Sequence, residues 1–321
     1  MKLAIVTSLS LLASLVDPAL AQPFPSRPMR MVVPAPPSGS SDIIGRLIAE
    51  HLQRRLGQSM ITENRPGAGQ TIGTAYVAKS DPDGHTLLLI TVSYTTNAAV
   101  YSKLPYDPLT DLTGVAMVGR GPLLLTVHPS VPVKSVKQLI ALAKSRPGQL
   151  NFGSAGTGTI PHMAAELFVG SAQIDMVHVP YKGIAPAVTA TVAGEVPVLF
   201  ASTPAAGAMV KANRLRALAV TTAKRSTYMP ELPTIAEAGV PGYDVATWWG
   251  VLAPAKTPAA VVSRLNDEIR KIVASDDVRA RIVADGAEPV LDMTSADFNA
   301  LLKQDIEKWR RIVKVRNIRV N

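Results

Sequence analysis

The chain has 321 residues, with 33 Lys and Arg against 24 Asp and Glu, a net charge of +9 and no cysteine. At 47% apolar and 18% charged it is too apolar and too weakly charged for a disordered chain, so it folds around a sizeable core, and its length suits about two domains. The absence of cysteine excludes disulfides, thiolate metal sites, iron–sulfur clusters and cysteine nucleophiles, while the positive charge makes nucleic acid the first partner to test.

The chain opens with Lys2, a mostly apolar run from Leu3 to Val16, and Ala19-Leu20-Ala21. The run is shorter than a bilayer span, and small residues stand where a signal peptidase reads, so residues 1–21 are predicted to be a signal peptide cleaved after Ala21. The chain is therefore predicted to be exported, which argues against nucleic acid as a partner and leaves acidic small molecules open.

Met29 to Val33 reads as a strand and Ser41 to Leu56 as a helix stopped by Gly57, with Ile44, Leu47, Ile48 and Leu52 on one face. Between them, Pro34 to Asp42 is a small, hydroxyl-rich loop at a helix N-terminus. Unpaired N–H groups and the helix dipole there favour an anion, by roughly 0.3–2 kcal/mol for the dipole. Helix capping by Ser41 or Asp42 accounts for the same residues equally well.

Further strands are predicted at Met60 to Thr62, Thr86 to Thr91, Leu123 to Val127, Met176 to Val179, Val196 to Phe200 and Leu215 to Val220. Helices fit between them, one opening on the capping box Ser135 to Gln138, and the alternation predicts an α/β fold with largely parallel sheets. Gly183 to Val210 carries one charge, Glu195, over a span long enough for a membrane, but Pro186, Pro197 and Pro204 break it into short soluble elements.

Asn151 to His162 is a second strand-to-loop-to-helix stretch, with Pro161 in the first helical turn. Two such loops suit a cleft in which each side offers a helix N-terminus to one ligand. Lys182, after the strand that ends near Val179, either presents a cation to a second carboxylate or is solvated. Trp248 and Trp249 point to opposite faces of a strand running to Pro254, one into the core and the other free to line the cleft or an interlobe strand. After Pro258 only helices are predicted, the last with a core stripe of Leu302, Ile306, Trp309 and Val313.

Catalytic motifs fail on spacing. Ser154 has Phe152 where a nucleophile elbow needs glycine, and both Gly156-Thr157-Gly158 and Gly67-Ala68-Gly69 miss the third glycine of a dinucleotide fingerprint. The five histidines are scattered, and His162 reads as a loop anchor or pocket wall rather than a metal ligand.

The stretches PSRPMRMVVPAPPSGSSD, ENRPGAGQTIGTAYVAKSDPDGHTLLL, NFGSAGTGTIPHMAAELF, HVPYKG, LPTIAEAGVPGY and WWGVLAPAKTP together resemble the tripartite tricarboxylate transporter substrate-binding proteins, the Bug receptor family, over nearly the whole chain after the signal peptide. The resemblance implies a two-lobe periplasmic binding protein fold of the second topological type, with two crossing strands between lobes. The lobes are expected at 22–122 with 246–321, and at 123–245. It further implies a ligand carboxylate held by main-chain groups, small hydroxyls and bridging water. Carried over by position, the site residues are Ser38, Gly39, Ser40, Ser41 and Asp42 from the first loop, and Ser154, Gly156, Thr157, Gly158, Thr159 and His162 from the second. Ser93 and Tyr94 at a strand end, Tyr181 and Lys182, and Ser202 and Thr203 are added to them. The family pattern commonly has an aromatic where Ala35 stands and two glycines where Ser38 and Gly39 stand, so a relative's specificity does not transfer.

The expectation is a monomeric, non-enzymatic solute receptor without cofactor or metal. It captures a small organic anion, a mono- or dicarboxylate, and delivers it to membrane carrier subunits. The alternatives are a sensor protein feeding a signalling receptor and a secreted serine hydrolase. Of the +9, +5 falls in residues 303–321, remote in sequence from both loops.

Overall fold

A computed structural model describes residues 24–284 and 286–316; the expected signal peptide and cleavage site lie outside the described residues, as does Arg319. In chain order the elements are β1 (Met29–Val33), α1 (Ser40–Leu56), β2 (Met60–Asn64), a 3-10 turn (Ala68–Gln70), α2 (Thr71–Ala78), β3 (Thr86–Thr91), α3 (Ser93–Val100) and β4 (Leu112–Val127). There follow α4 (Val136–Ser145), β5 (Asn151–Ser154), α5 (Ile160–Ala172), β6 (Val177–Pro180), α6 (Ile184–Ala193), β7 (Val198–Ser202), α7 (Thr203–Lys211) and β8 (Arg216–Val220). The chain closes with β9 (Ala246–Pro254), α8 (Ala259–Ala274), α9 (Asp276–Ala284), β10 (Glu288–Pro289) and α10 (Ser295–Arg316). Among the described residues no helix is long and apolar enough to cross a membrane.

β1 pairs in parallel with β2 and β3, as the βαβ alternation predicts, and β5 pairs in parallel with β6 and β7. Two long strands join these parallel groups. β9 runs antiparallel between β3 and β4, and β4 pairs with it from Leu112 opposite Pro254 to Pro122 opposite Ala246. Beyond Pro122, which has no N–H to continue a ladder, Leu123 to Val127 pairs instead with β7 on one side and β8 on the other. One sheet thus curls through β4 from the first group of strands to the second, in the order β2-β1-β3-β9-β4-β7-β5-β6.

Only the second half of β4 was expected from the sequence. Gly114, Gly119 and Gly121 punctuate its first half and weaken the strand pattern, yet they admit close neighbours. A Cβ on Gly114 would stand 2.8 Å from the Phe298 ring, and one on Gly119 would stand 3.1 Å from the Glu288 carbonyl. The helices-only reading after Pro258 is likewise corrected by β10, whose two residues pair with β4 at Arg120 and Gly119.

Trp248 and Trp249 face opposite ways on β9, one of the two strands that join the parallel groups, and both are core residues, so of the two places expected for the second tryptophan it is the joining strand and not the cleft that holds it. Trp248 packs edge-on to Phe298 of α10 and donates from Nε1 to Asp305 Oδ2 at 3.3 Å. Trp249 lies in the cluster formed with Leu265 and Ile269 of α8 and Val278 of α9. Helices cover both faces of β9. The α10 stripe is as read: Leu302, Ile306 and Trp309 are buried and Val313 partly so.

Candidate functional site

The first loop ends in a helix start without a side-chain cap. Gly39, rather than Ser41 or Asp42, is the N-cap of α1, and no side chain accepts from its first turn. The first helical bond runs from Ile43 N–H to the Gly39 carbonyl at 3.0 Å, so the N–H groups of Ser40, Ser41 and Asp42 have no acceptor within the helix. Asp42 turns away from them. Its carboxylate accepts from Ser38 N–H, Arg46 Nε and Asn64 Nδ2, each at 2.9 Å. Burial pushes its pKa up, but the hydrogen bonds from Arg46, Ser38 and Asn64 and the Arg46 charge outweigh burial and hold it below the usual carboxylate value. It stays ionised and paired.

The α1 start opens on a cavity of about 140 Å³ where strand ends and helix starts from both halves of the sheet meet. Pro34 to Pro36, Gly39, Ser40 and Ser41 form one wall, and the 3-10 turn from Gly67 to Gln70 another. Ser93 and the strand residues Thr91, Leu123 and Thr247 supply the floor, and Ala155, Ile160, Pro161, Tyr181 to Ile184 and Ser202 close the opposite side. Lys182 is the one charged residue in this lining, and no carboxylate is present. Ser202, N-cap of α7, makes no capping bond, and its buried Oγ has no hydrogen-bond partner. Exposed N–H dipoles, hydroxyls and one cation without a competing acid are the electrostatics of an anion site.

The second loop contributes differently from the first. Ile160 N–H, first in α5, donates to Ser93 Oγ at 3.1 Å, and Pro161 has no N–H, so α5 offers fewer donors than α1. Ser154, Gly156, Thr157, Gly158, Thr159 and His162 stand behind Ala155 rather than in the lining. Thr159 Oγ1 closes the loop on the Gly156 carbonyl at 2.6 Å. His162 Nδ1 accepts from Gly158 N–H at 3.2 Å, and its Nε2 lies 3.5 Å from Glu166 Oε1. It is a loop anchor. Among the described residues no group of three or more His, Asp or Glu could hold a metal ion.

Beneath the loop, His162 stacks on His178 at 4.0 Å and His178 on Phe152 at 5.1 Å, with His178 Nε2 2.6 Å from Ser154 Oγ. Ser154 therefore meets His178, and it is fully buried. Burial, and then the neighbouring His162, lower the His178 pKa from 6.5 to about 3. Between these values the unfolded chain binds a proton that the folded chain does not, so this contribution to stability is present above pH 6.5 and is lost as pH falls towards 3. His178→Gln should flatten the thermal midpoint against pH between 6 and 4 relative to wild type; an unchanged slope would show that His178 carries no such linkage.

Of the other expected site residues, Tyr181 and Lys182 line the cavity, as does Ser93. Ser93 and Tyr94 open helix α3 rather than ending a strand, because the chain turns at Val92 with helical dihedrals. Tyr94 lies in the core, stacked on Tyr106 and donating to the Pro108 carbonyl at 2.6 Å. Thr203 is buried in the first turn of α7 against Gly286. The Gly67 to Gln70 turn, Thr91, Leu123 and Thr247 were not expected in the lining. A glycine-rich strand-to-helix connector signals the first of these, whereas nothing local marks single positions on strands. The exposed cations Lys303, Lys308, Arg310, Arg311 and Lys314 of α10 contribute nothing to the lining.

Residues 44–318 match the family model described as tripartite tricarboxylate transporter family receptor. The chain is 37% identical to BugT of Bordetella pertussis over 97% of its own length and 96% of that protein. Among solved structures, a protein of R. palustris determined with adipate superposes with a TM-score of 0.89 at 38% identity, covering 92% of this chain and 99% of that one. The periplasmic binding protein BugD gives 0.89 at 30% identity, covering 92% and 99%. MatC from Rhodopseudomonas palustris with bound malate gives 0.86 at 30%, covering 90% and 100%.

Proposed function

The chain belongs to the tripartite tricarboxylate transporter receptor family, whose members are periplasmic solute-binding proteins and not enzymes, and from that premise we propose that it captures a small organic mono- or dicarboxylate and delivers it to a membrane carrier. Two lobes, 22–122 with 246–321 and 123–245, close on the ligand about β4 and β9. The observation that carries this reading is the α1 N-terminus, with three N–H groups unpaired in the helix, facing a cavity with Lys182 and no acid. One ligand carboxylate accepts from Ser40 and Ser41, with Ser93 and Ser202 as hydroxyl partners. Lys182, exposed at the rim, faces a second polar end. The adipate and malate of two solved relatives agree with this class of ligand.

The test is a thermal-shift screen of the mature protein over mono- and dicarboxylates, with amides, neutral sugars and cations as controls. A ligand at 100 times its Kd adds about 2.7 kcal/mol of stability, so a cognate acid is expected to raise the midpoint visibly. Shifts confined to neutral sugars or cations would overturn the anion reading.

A further inference from the structure

The cavity is closed along two flanks built from different chemistry. On one, Pro36 lies against Gly183 and Gly39 against Ile184, where Cβ atoms built on the two glycines would stand 2.5 Å from Pro36 Cδ and 3.1 Å from Ile184 Cγ2. These are carbon contacts. On the other flank, helix α3, which follows β3, grips the loop that follows β5 through main-chain groups. Thr96 Oγ1 donates to the Gly158 carbonyl at 2.6 Å, Tyr101 OH donates to the Thr157 carbonyl at 3.0 Å, and Ser93 Oγ accepts from Ile160 N–H. Asn97 Nδ2 ties the same helix to the Gly69 carbonyl at 2.6 Å.

The backbones meet here too closely for side chains. Gly158 has φ +79°, and a Cβ there would stand 2.6 Å from Asn97 Oδ1; a Cβ on Gly69 would stand 2.7 Å from the Thr157 carbonyl. Asn97 Oδ1 is buried without a partner, as expected of a group pressed into place by surrounding contacts rather than by its own bond. The gripped loop carries Ala155, Ile160 and Pro161 of the cavity wall.

We propose that α3 is a clasp across the cleft, with Thr96 and Tyr101 as positioning residues that set how slowly a bound acid is released. This rests on the receptor reading above. The two hydroxyls hold carbonyls of the opposing loop only while the cleft is shut; when it opens, Tyr101 turns to water and Thr96 keeps only its longer contact with the Ser93 carbonyl of its own helix, at 3.3 Å. Their short bonds across the cleft therefore stabilise the closed, liganded state. Because they address main chain and not ligand, they slow the release of every acid that fits the cavity by the same factor.

The experiment compares wild type, Tyr101→Phe, Thr96→Val and the double variant by stopped-flow release of bound acid. The panel is mono- and dicarboxylates of three to eight carbons, adipate and malate included. Loss of two neutral hydrogen bonds amounts to about a tenfold change, so the double variant should release each bound acid about tenfold faster, with association rate and ligand-free thermal midpoint unchanged. Thr96→Ser, which keeps the hydroxyl, should restore the wild-type rate. Release at the wild-type rate, or a fall in the ligand-free midpoint without faster release, would overturn the clasp and leave the receptor reading standing. A wild-type chain that binds no acid in the panel would overturn the receptor reading, and the clasp with it.

Discussion

Ser40→Pro should weaken carboxylate binding by about a hundredfold while the protein stays folded. A hydrogen bond to a charged group contributes about 1.5–3 kcal/mol, and proline at this position deletes one such donor from the cavity wall. The substitution suits the backbone. Ser40 is the first residue of α1, where its N–H has no helical acceptor and proline is well tolerated. Gly39 before it already has φ −84° and ψ 168°, the extended conformation that a following proline requires. Ser40→Ala removes the hydroxyl but keeps the N–H, and should cost about tenfold or less. Titration calorimetry with the strongest acid from the screen decides it: equal losses in the two variants would move recognition from the helix terminus to the side chain.

Gly250→Val should lower the thermal midpoint by about 5 °C, on an overpacking cost near 3 kcal/mol. Gly250 lies on β9, where a Cβ would stand 2.3 Å from Phe298 Cζ, and Gly114 on β4 lies under the same ring. Phe298 is fully buried and edge-on to Trp248, so it cannot swing aside without disturbing the packing of α10 on both crossing strands. A second substitution, Phe298→Leu, should recover part of the loss, giving a coupling that differential scanning calorimetry of the four-member cycle can read. Additive effects would mean that the two residues do not share a site.

The elements most legible in the sequence are those whose signals are local. The β1 strand, the α1 helix with its αL stop at Gly57 and the amphipathic α10 follow from periodicity and termination. The Ser135 cap of α4 accepts from Gln138 N–H as expected, although Gln138 reaches back to Lys134 N–H rather than to Ser135. The strand content of Leu112 to Pro122 was hidden because glycines make a poor strand locally and a good one only beneath Phe298 and β10. In the cavity, Gly39, Ser40, Ser41, Ser93, Tyr181, Lys182 and Ser202 came from the sequence, whereas Leu123 and Thr247 are single positions on strands whose access depends on where the sheet curls.

The net charge shows the same division. Its concentration near the C-terminus is written in the sequence, and α10 carries its described cations on an exposed face outside the cavity lining. By itself, the order of residues determined that the chain is an α/β protein without cysteine chemistry and that two small-residue loops stand before helices, because composition, periodicity and turn chemistry act over a few residues. Only the tertiary structure decided that Gly39, Ser40 and Ser41 of the α1 loop line the cavity, while the α5 loop reaches it only through Ala155, Ile160 and Pro161 and has its remaining residues behind them, tied to α3. That choice depends on contacts such as Ile160 with Ser93 and Gly158 with Thr96, between residues more than sixty positions apart. Such pairings arise when the sheet curls through β4, and no local pattern encodes them.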